Sequence, residues 1–189
     1  MKKGLFVFAM IFLPFNSFGQ NSKGNLTAIE GIKKFDSGDD LGAVTTFTKA
    51  IEELNPKTDS ISLMLSYSYR GQAKSNLGDN RGAILDLTKS ISFTNERTID
   101  SFLDDGKDFL AKNYSLRGNL KELLDYPFQE VIGDFNVAIR INPSKGIYYA
   151  GRGNAKIQNG QKQAGCLDLS KAGELGFSQA YEYIKELCN

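Results

Sequence analysis

The sequence predicts an all-α protein built from about four helical hairpins and a C-terminal capping helix. Three observations support this fold class. A phrase of the form Tyr-x-x-Arg-Gly-x-x-Lys recurs along the chain, a run with apolar residues at helical spacing follows each copy, and turn-forming residues separate the two parts. Apolar residues every three or four positions mark one face of an amphipathic helix. A repeated pair of such runs therefore indicates repeated helical hairpins.

Three strong copies of the phrase and one weaker copy define the repeat. The strong copies span residues 67–74, 114–121 and 149–156, and the weaker copy spans 27–34. In each copy a glycine lies near the middle of the first predicted helix, where the missing side chain would let the second helix approach closely. These glycines are Gly31, Gly71, Gly118 and Gly153.

Turn signals place the boundaries of the hairpins. Gly38, Gly78 and Gly160 lie where a first helix would end, because glycine adopts the left-handed conformation that terminates helices. Asp39 and Asp79 follow two of these glycines and can cap the second helix. The resulting segments are hairpins at approximately 25–55, 59–94, 107–142 and 145–175, a cap helix at 177–188 and a helical insertion near 95–106.

The arrangement resembles the tetratricopeptide repeat (TPR), a helix-turn-helix unit of about 34 residues. The resemblance covers roughly residues 25–189. It implies an α-solenoid of about four TPR-like helical hairpins, with residues 20–189 forming a single repeat domain. Repeat arrays need a terminal cap, and Tyr183, Ile184 and Leu187 are expected to face the core from the last helix.

Residues 1–19 are predicted to be a signal peptide. Two lysines precede an apolar stretch at 5–15, and Ser17 and Gly19 fit the small-residue positions before a cleavage site. The apolar stretch is shorter than the roughly 20 residues that span a membrane. We therefore expect cleavage near Gly19 and a periplasmic or extracellular mature chain without an integral membrane span.

The composition argues against several classes of function. Histidine is absent and there are two cysteines. A Ser-His-Asp or Cys-His catalytic site therefore cannot form, and a structural zinc site, which needs about four nitrogen or sulfur ligands, is not expected. The net charge is +1, without the basic patch that marks nucleic-acid binding. We expect no enzyme activity, no metal or other cofactor and no nucleic-acid partner.

Each strong repeat carries an arginine in its first helix and an aspartate in its second. The weaker first repeat has Glu30 and Thr46 at these places and lacks both members. Because the two residues occur together, we predict an Arg–Asp pair across each hairpin that fixes packing geometry. A row of arginines for an anionic ligand is the alternative. The predicted pairs are Arg70 with Asp86, Arg117 with Asp134, and Arg152 with Asp168.

Cys166 and Cys188 are predicted to form a disulfide bond that attaches the capping helix. Cys166 lies ten residues before the turn at Gly176 and Cys188 twelve residues after it, which puts both at the same end of two antiparallel helices. In the TPR pattern the position of Cys166 faces the following helix. Exported proteins occupy compartments where disulfides persist. Two buried free thiols are the alternative.

The resemblance also implies a groove for a partner, lined by the first helices of the hairpins. Three groove positions, one in each strong repeat, carry side-chain amides: Gln72, Asn119 and Asn154. Amides both donate and accept hydrogen bonds, so this series could hold the backbone of an extended peptide. Simple solvation of these amides is the alternative. Basic residues are scarce at groove positions, so a clamp for a free C-terminal carboxylate is not expected. The groove positions include Leu65, Ser68, Gln72, Ser75, Ser115, Asn119, Glu122, Asn154 and Ile157.

The leading hypothesis for function is a non-catalytic protein–protein interaction or scaffold module that binds a protein or extended peptide. Two alternatives stay open. One is a cell-envelope factor that binds or processes a small ligand or a cell-wall glycan, which would need convergent carboxylates in a pocket. The other is a structural protein that self-assembles as a homo-oligomer.

Overall fold

A computed structural model describes residues 22–94 and 104–188. Within these ranges the chain forms nine α-helices and no β-strand, and none of these helices is long and apolar enough to cross a membrane. The predicted signal peptide and most of the predicted insertion near 95–106 lie outside the described residues. The helices are α1 (Lys23–Asp36), α2 (Asp40–Glu53), α3 (Ser60–Asn76), α4 (Asn80–Ser92), α5 (Asp104–Leu123), α6 (Phe128–Ile141), α7 (Gly146–Gln158), α8 (Lys162–Glu174) and α9 (Ala180–Leu187).

The helices fall into two compact units, one with α1–α4 and one with α5–α9. Each unit contains two hairpins, α1–α2 and α3–α4 in the first and α5–α6 and α7–α8 in the second. Within each unit the first helices of the two hairpins also touch, α1 with α3 and α5 with α7, and α9 packs against α8. Repeats contact mainly their neighbours, so this division is expected for tandem hairpins. The predicted hairpins and capping helix are thus present.

The mid-helix glycines let the two helices of a hairpin approach closely, as predicted. A Cβ atom added to Gly71 would lie 3.2 Å from the carbonyl oxygen of Ala83, and one added to Gly153 would lie 2.8 Å from that of Gly165. The corresponding glycines of the first and third hairpins lie against phenylalanine rings. A larger residue at these positions would push the second helix away.

A large apolar side chain in each second helix fills the space beneath the glycine. Phe47, Leu87, Phe135 and Leu169 occupy equivalent positions and are completely buried. Burial of one such side chain contributes about 1.5–3 kcal/mol. The same position therefore supplies a core residue to every hairpin.

Glycine ends the first helix in three hairpins, with φ values of 82°, 84° and 78°. Asp39 and Asp79 then cap the second helix, each accepting a 2.9 Å hydrogen bond from the backbone N–H three residues later. In the third hairpin Asp125 takes the left-handed conformation, with φ of 57°. Aspartate is among the few non-glycine residues that visit this region, which explains how this hairpin turns without glycine.

The capping helix α9 is anchored by Ala180 and Ile184, which pack against a buried cluster of α7 and α8 side chains. Leu187 is half-buried. The expectation that Tyr183 faces the core is wrong, because the residue is 40% exposed. One residue corresponds to about 100° of rotation around an α-helix, so Tyr183 points away from the side that Ile184 buries.

Candidate functional site

Each strong hairpin contains the same buried cluster of charged groups. In the fourth hairpin Asp168 accepts hydrogen bonds from Arg152 Nε (2.8 Å) and Nη2 (2.7 Å) and from Lys156 Nζ (2.8 Å). The guanidinium carbon of Arg152 lies 5.5 Å from the centre of the Tyr149 ring, within the range of a cation–π contact. The tyrosine, arginine and lysine of the repeated phrase therefore form the first-helix side of one cluster.

The cluster recurs in the second and third hairpins. Asp86 accepts from Arg70 at 2.8 and 2.7 Å, and Asp134 accepts from Arg117 at 3.0 and 2.6 Å. The three aspartate side chains are only 6%, 5% and 9% exposed. Each predicted arginine thus meets its predicted aspartate, and two of its nitrogens are committed to that contact. The arginines are packing elements of the hairpins, as the predicted Arg–Asp pairs required.

The repeated lysines are members of the cluster that the sequence interpretation did not assign. Lys74, Lys121 and Lys156 each lie four residues after the arginine and form an ion pair with the same aspartate. Residues four apart lie on the same side of a helix, so this spacing was the signal that could have identified them.

In the first unit, the predicted groove positions contribute little exposed polar surface. Leu65, Gln72 and Ser75 are half-buried, whereas Ser68 is completely buried. Gln72 Nε2 donates to Ser68 Oγ at 3.2 Å, so this amide is engaged within its own helix. The expectation that Ser68 faces a partner is corrected, since α3 is packed by α1, α2 and α4.

In the second unit, several predicted groove residues come together on α5 and α7. Glu122 Oε1 accepts hydrogen bonds from Asn154 Nδ2 at 2.8 Å and from Gln158 Nε2 at 2.7 Å. Asn119, one turn before Glu122, is exposed. We call Asn119, Glu122, Asn154 and Gln158 the α5–α7 face. It carries one carboxylate and three amides on two neighbouring first helices.

Two of the predicted groove residues in this unit belong to its packing, and one residue was missed. Ser115 is buried, and Ile157 packs against Gly165 of α8 and the buried cluster beneath α9. Ser115 is therefore corrected from a partner-binding to a packing position, whereas Ile157 is half-buried and its place in the groove stays a prediction. Gln158 was not predicted, although its spacing of four residues from Asn154 places it on the same side of α7.

The electrostatics of Glu122 differ from those of the buried aspartates. Burial raises the pKa of the Glu122 carboxyl group, and the hydrogen bonds from Asn154 and Gln158 lower it by less. The ion pairs within the described ranges do not include Glu122, and the adjacent Lys121 pairs with Asp134 and Glu130. Glu122 is thus a half-buried carboxylate that neutral donors hold in place.

The two cysteines are joined as predicted. Cys166 of α8 and Cys188, which follows α9, form a disulfide bond with their Cα atoms 5.8 Å apart. The bond ties the end of the capping helix to the last hairpin. In the described part of the chain, no group of three or more metal-ligating side chains could hold a metal ion.

Comparison with known proteins identifies the fold. No protein-family profile matches the chain, and no curated protein matches its sequence. A crystal structure of MamA aligns with 85% of this chain and 82% of its own at 19% identity, with a TM-score of 0.66. A MamA double mutant from strain RS-1 aligns with 84% and 78% at 18% identity, with a TM-score of 0.65. MamA is a TPR protein, and at these identities the similarity shows a shared fold, that of TPR-type helical hairpins.

Proposed function

We propose that this protein is a non-catalytic interaction or scaffold module that binds a protein or an extended peptide. The observation that carries the proposal is the α5–α7 face. The buried charges of the three strong hairpins are compensated inside each hairpin, whereas Glu122 and its amide neighbours lie at the surface between two first helices. These side chains are ordered by one another and are positioned to accept a partner.

The chemistry of the α5–α7 face suits a polypeptide. The backbone of an extended peptide presents both N–H donors and C=O acceptors. The exposed amide of Asn119 can satisfy either kind of group, and Glu122 and Asn154 retain oxygen atoms that can accept from N–H groups. Hydrogen bonds to the backbone would give affinity with little dependence on the peptide sequence.

The proposed place of action is the cell envelope or exterior. The basic, apolar and small-residue order of residues 1–19 is typical of a secretory signal peptide. The Cys166–Cys188 bond supports the same location, because disulfides persist in oxidising compartments and are rare in the cytosol.

The proposal is tested by affinity capture from an envelope extract with the purified protein and two triple variants. One variant removes amides from the first helices, and the matched control removes exposed amides elsewhere. Circular dichroism first establishes that both variants are folded. The test variant carries Asn119→Ala, Asn154→Ala and Gln158→Ala, which removes the three amides of the α5–α7 face, and the control carries Gln129→Ala, Gln161→Ala and Gln179→Ala.

We expect a specific protein that binds the wild type and the control variant and is lost from the test variant. A protein that all three retain would contradict the α5–α7 face as the site. Recovery of only a second copy of this chain, or of no protein at all, would contradict the proposal and favour self-assembly or a small ligand.

A further inference from the structure

We propose that the α5–α7 face selects a partner segment that presents an arginine or lysine side chain to Glu122. This inference rests on the proposed function and specifies the chemistry of the partner. It concerns one carboxylate that the fold holds in place and that pairs with no cation among residues 22–94 and 104–188.

The position of Glu122 is fixed from two directions. Its backbone belongs to α5, and its Oε1 atom accepts from two side chains of α7 at 2.8 and 2.7 Å. Both of these hydrogen bonds end on the same oxygen, and a carboxylate has about four acceptor positions on its two oxygens. The two bonds fix the orientation of the carboxylate and leave its Oε2 atom as an acceptor for a donor that approaches the face.

The charge balance of the second unit identifies that donor. Asp134 and Asp168 each have an arginine and a lysine within ion-pair distance. In the described part of this unit Glu122 has two neutral amides instead. The lysines of the repeated phrase in the same unit, Lys121 and Lys156, are already paired with these aspartates. A partly desolvated carboxylate without a cation is unfavourable. A cationic side chain from a partner would supply the missing charge.

Other occupants fit less well. An acidic partner group would be repelled by Glu122, and a neutral backbone N–H would gain a hydrogen bond without charge compensation. A basic side chain donates a charge-assisted hydrogen bond to the carboxylate, as a backbone N–H would, and in addition neutralises its charge. Arginine can also place its flat guanidinium against the neighbouring amides.

The test is a selection of random displayed peptides on the protein expressed from its full sequence. Four proteins are compared: the wild type, Glu122→Gln, Glu122→Lys and Glu174→Gln. The last is the matched control, because it removes the same charge from an exposed position of α8. Glu122→Gln keeps the Oε1 acceptor for both amides, and circular dichroism checks that each variant is folded.

We expect peptides from the wild type and from Glu174→Gln to be enriched in arginine or lysine at one position. The enrichment is lost with Glu122→Gln and changes to aspartate or glutamate with Glu122→Lys. In fluorescence anisotropy, the consensus peptide binds Glu122→Gln at least about tenfold more weakly, as expected for the loss of a hydrogen bond to a charged group.

Peptides without a basic preference, or with one that Glu122→Gln leaves intact, would overturn this inference and leave the proposed function standing. Failure of all four proteins to select any peptide would count against the proposed function itself, and the inference would fall with it.

Discussion

Removal of the Asp168 side chain should destabilise the last hairpin more than removal of any exposed charged side chain from the same helix. The aspartate accepts three hydrogen bonds from Arg152 and Lys156 at 2.7–2.8 Å. Asp168→Ala leaves both cations without this acceptor in a site where they are only 18% and 19% exposed. Breaking a buried ion pair from one side costs about 3–5 kcal/mol. We expect about 3 kcal/mol, the lower end, because water reaches about a fifth of each cation.

The assay is urea denaturation followed by circular dichroism, with Glu174→Ala as the control on α8. Glu174 pairs with Lys171 at 3.0 Å, but the two side chains are 64% and 48% exposed. Exposed pairs contribute about 0–1 kcal/mol, so the control should lie close to the wild type. If Asp168→Ala costs no more than Glu174→Ala, the repeated cluster does not hold the hairpin together and our interpretation of the arginine row is refuted.

Three further outcomes are expected. Burial raises the pKa of Glu122 above its ordinary 4.5. The folded chain therefore holds this proton more tightly than the unfolded chain, and the free energy of unfolding falls as pH rises from the unfolded-state pKa through the folded-state pKa. Urea denaturations in a pH series that begins below 4.5 should show this decline, and Glu122→Gln should abolish this part of it. Ser66 Oγ is buried without a hydrogen-bond partner in the described structure, so Ser66→Ala should raise the free energy of unfolding by about 1 kcal/mol, and a decrease would show that the hydroxyl is satisfied. Replacing Cys166 and Cys188 by serine opens a loop with a sequence separation of 22 and should lower the free energy of unfolding by about 3 kcal/mol. The thermal midpoint should fall, and reduction of the wild type should reproduce the fall.

The hairpins and their charge clusters could be predicted because both are local in sequence. Gly71 and Leu87 lie in adjacent helices of one hairpin, so their contact follows from the repeat itself. The Arg–Asp pairs could be predicted because Glu30 and Thr46 replace both members together in the first repeat. In the structure Thr46 is buried and Glu30 is exposed beside Lys34, so the hairpin lacks the cluster entirely.

The surface of the first helices was harder to predict because it depends on packing between hairpins. Ser68 and Ser115 occupy positions that the repeat pattern assigns to a groove, yet neighbouring helices bury both. Gln158 reaches Glu122 only because α5 and α7 are in contact. A local sequence pattern does not predict the distance between two hairpins, and that distance decides which polar side chains are exposed to solvent.

The most direct test of the central claim is photocrosslinking from single exposed positions of the second unit. A benzophenone amino acid replaces Asn119 on the α5–α7 face in one variant and Gln129 at the start of α6 in the other. Both variants are expressed in cells with the native N-terminal segment and irradiated. Our account predicts a crosslink from position 119 to a second protein and no such crosslink from position 129. A crosslink from position 129 alone would contradict the assignment of the α5–α7 face as the binding site.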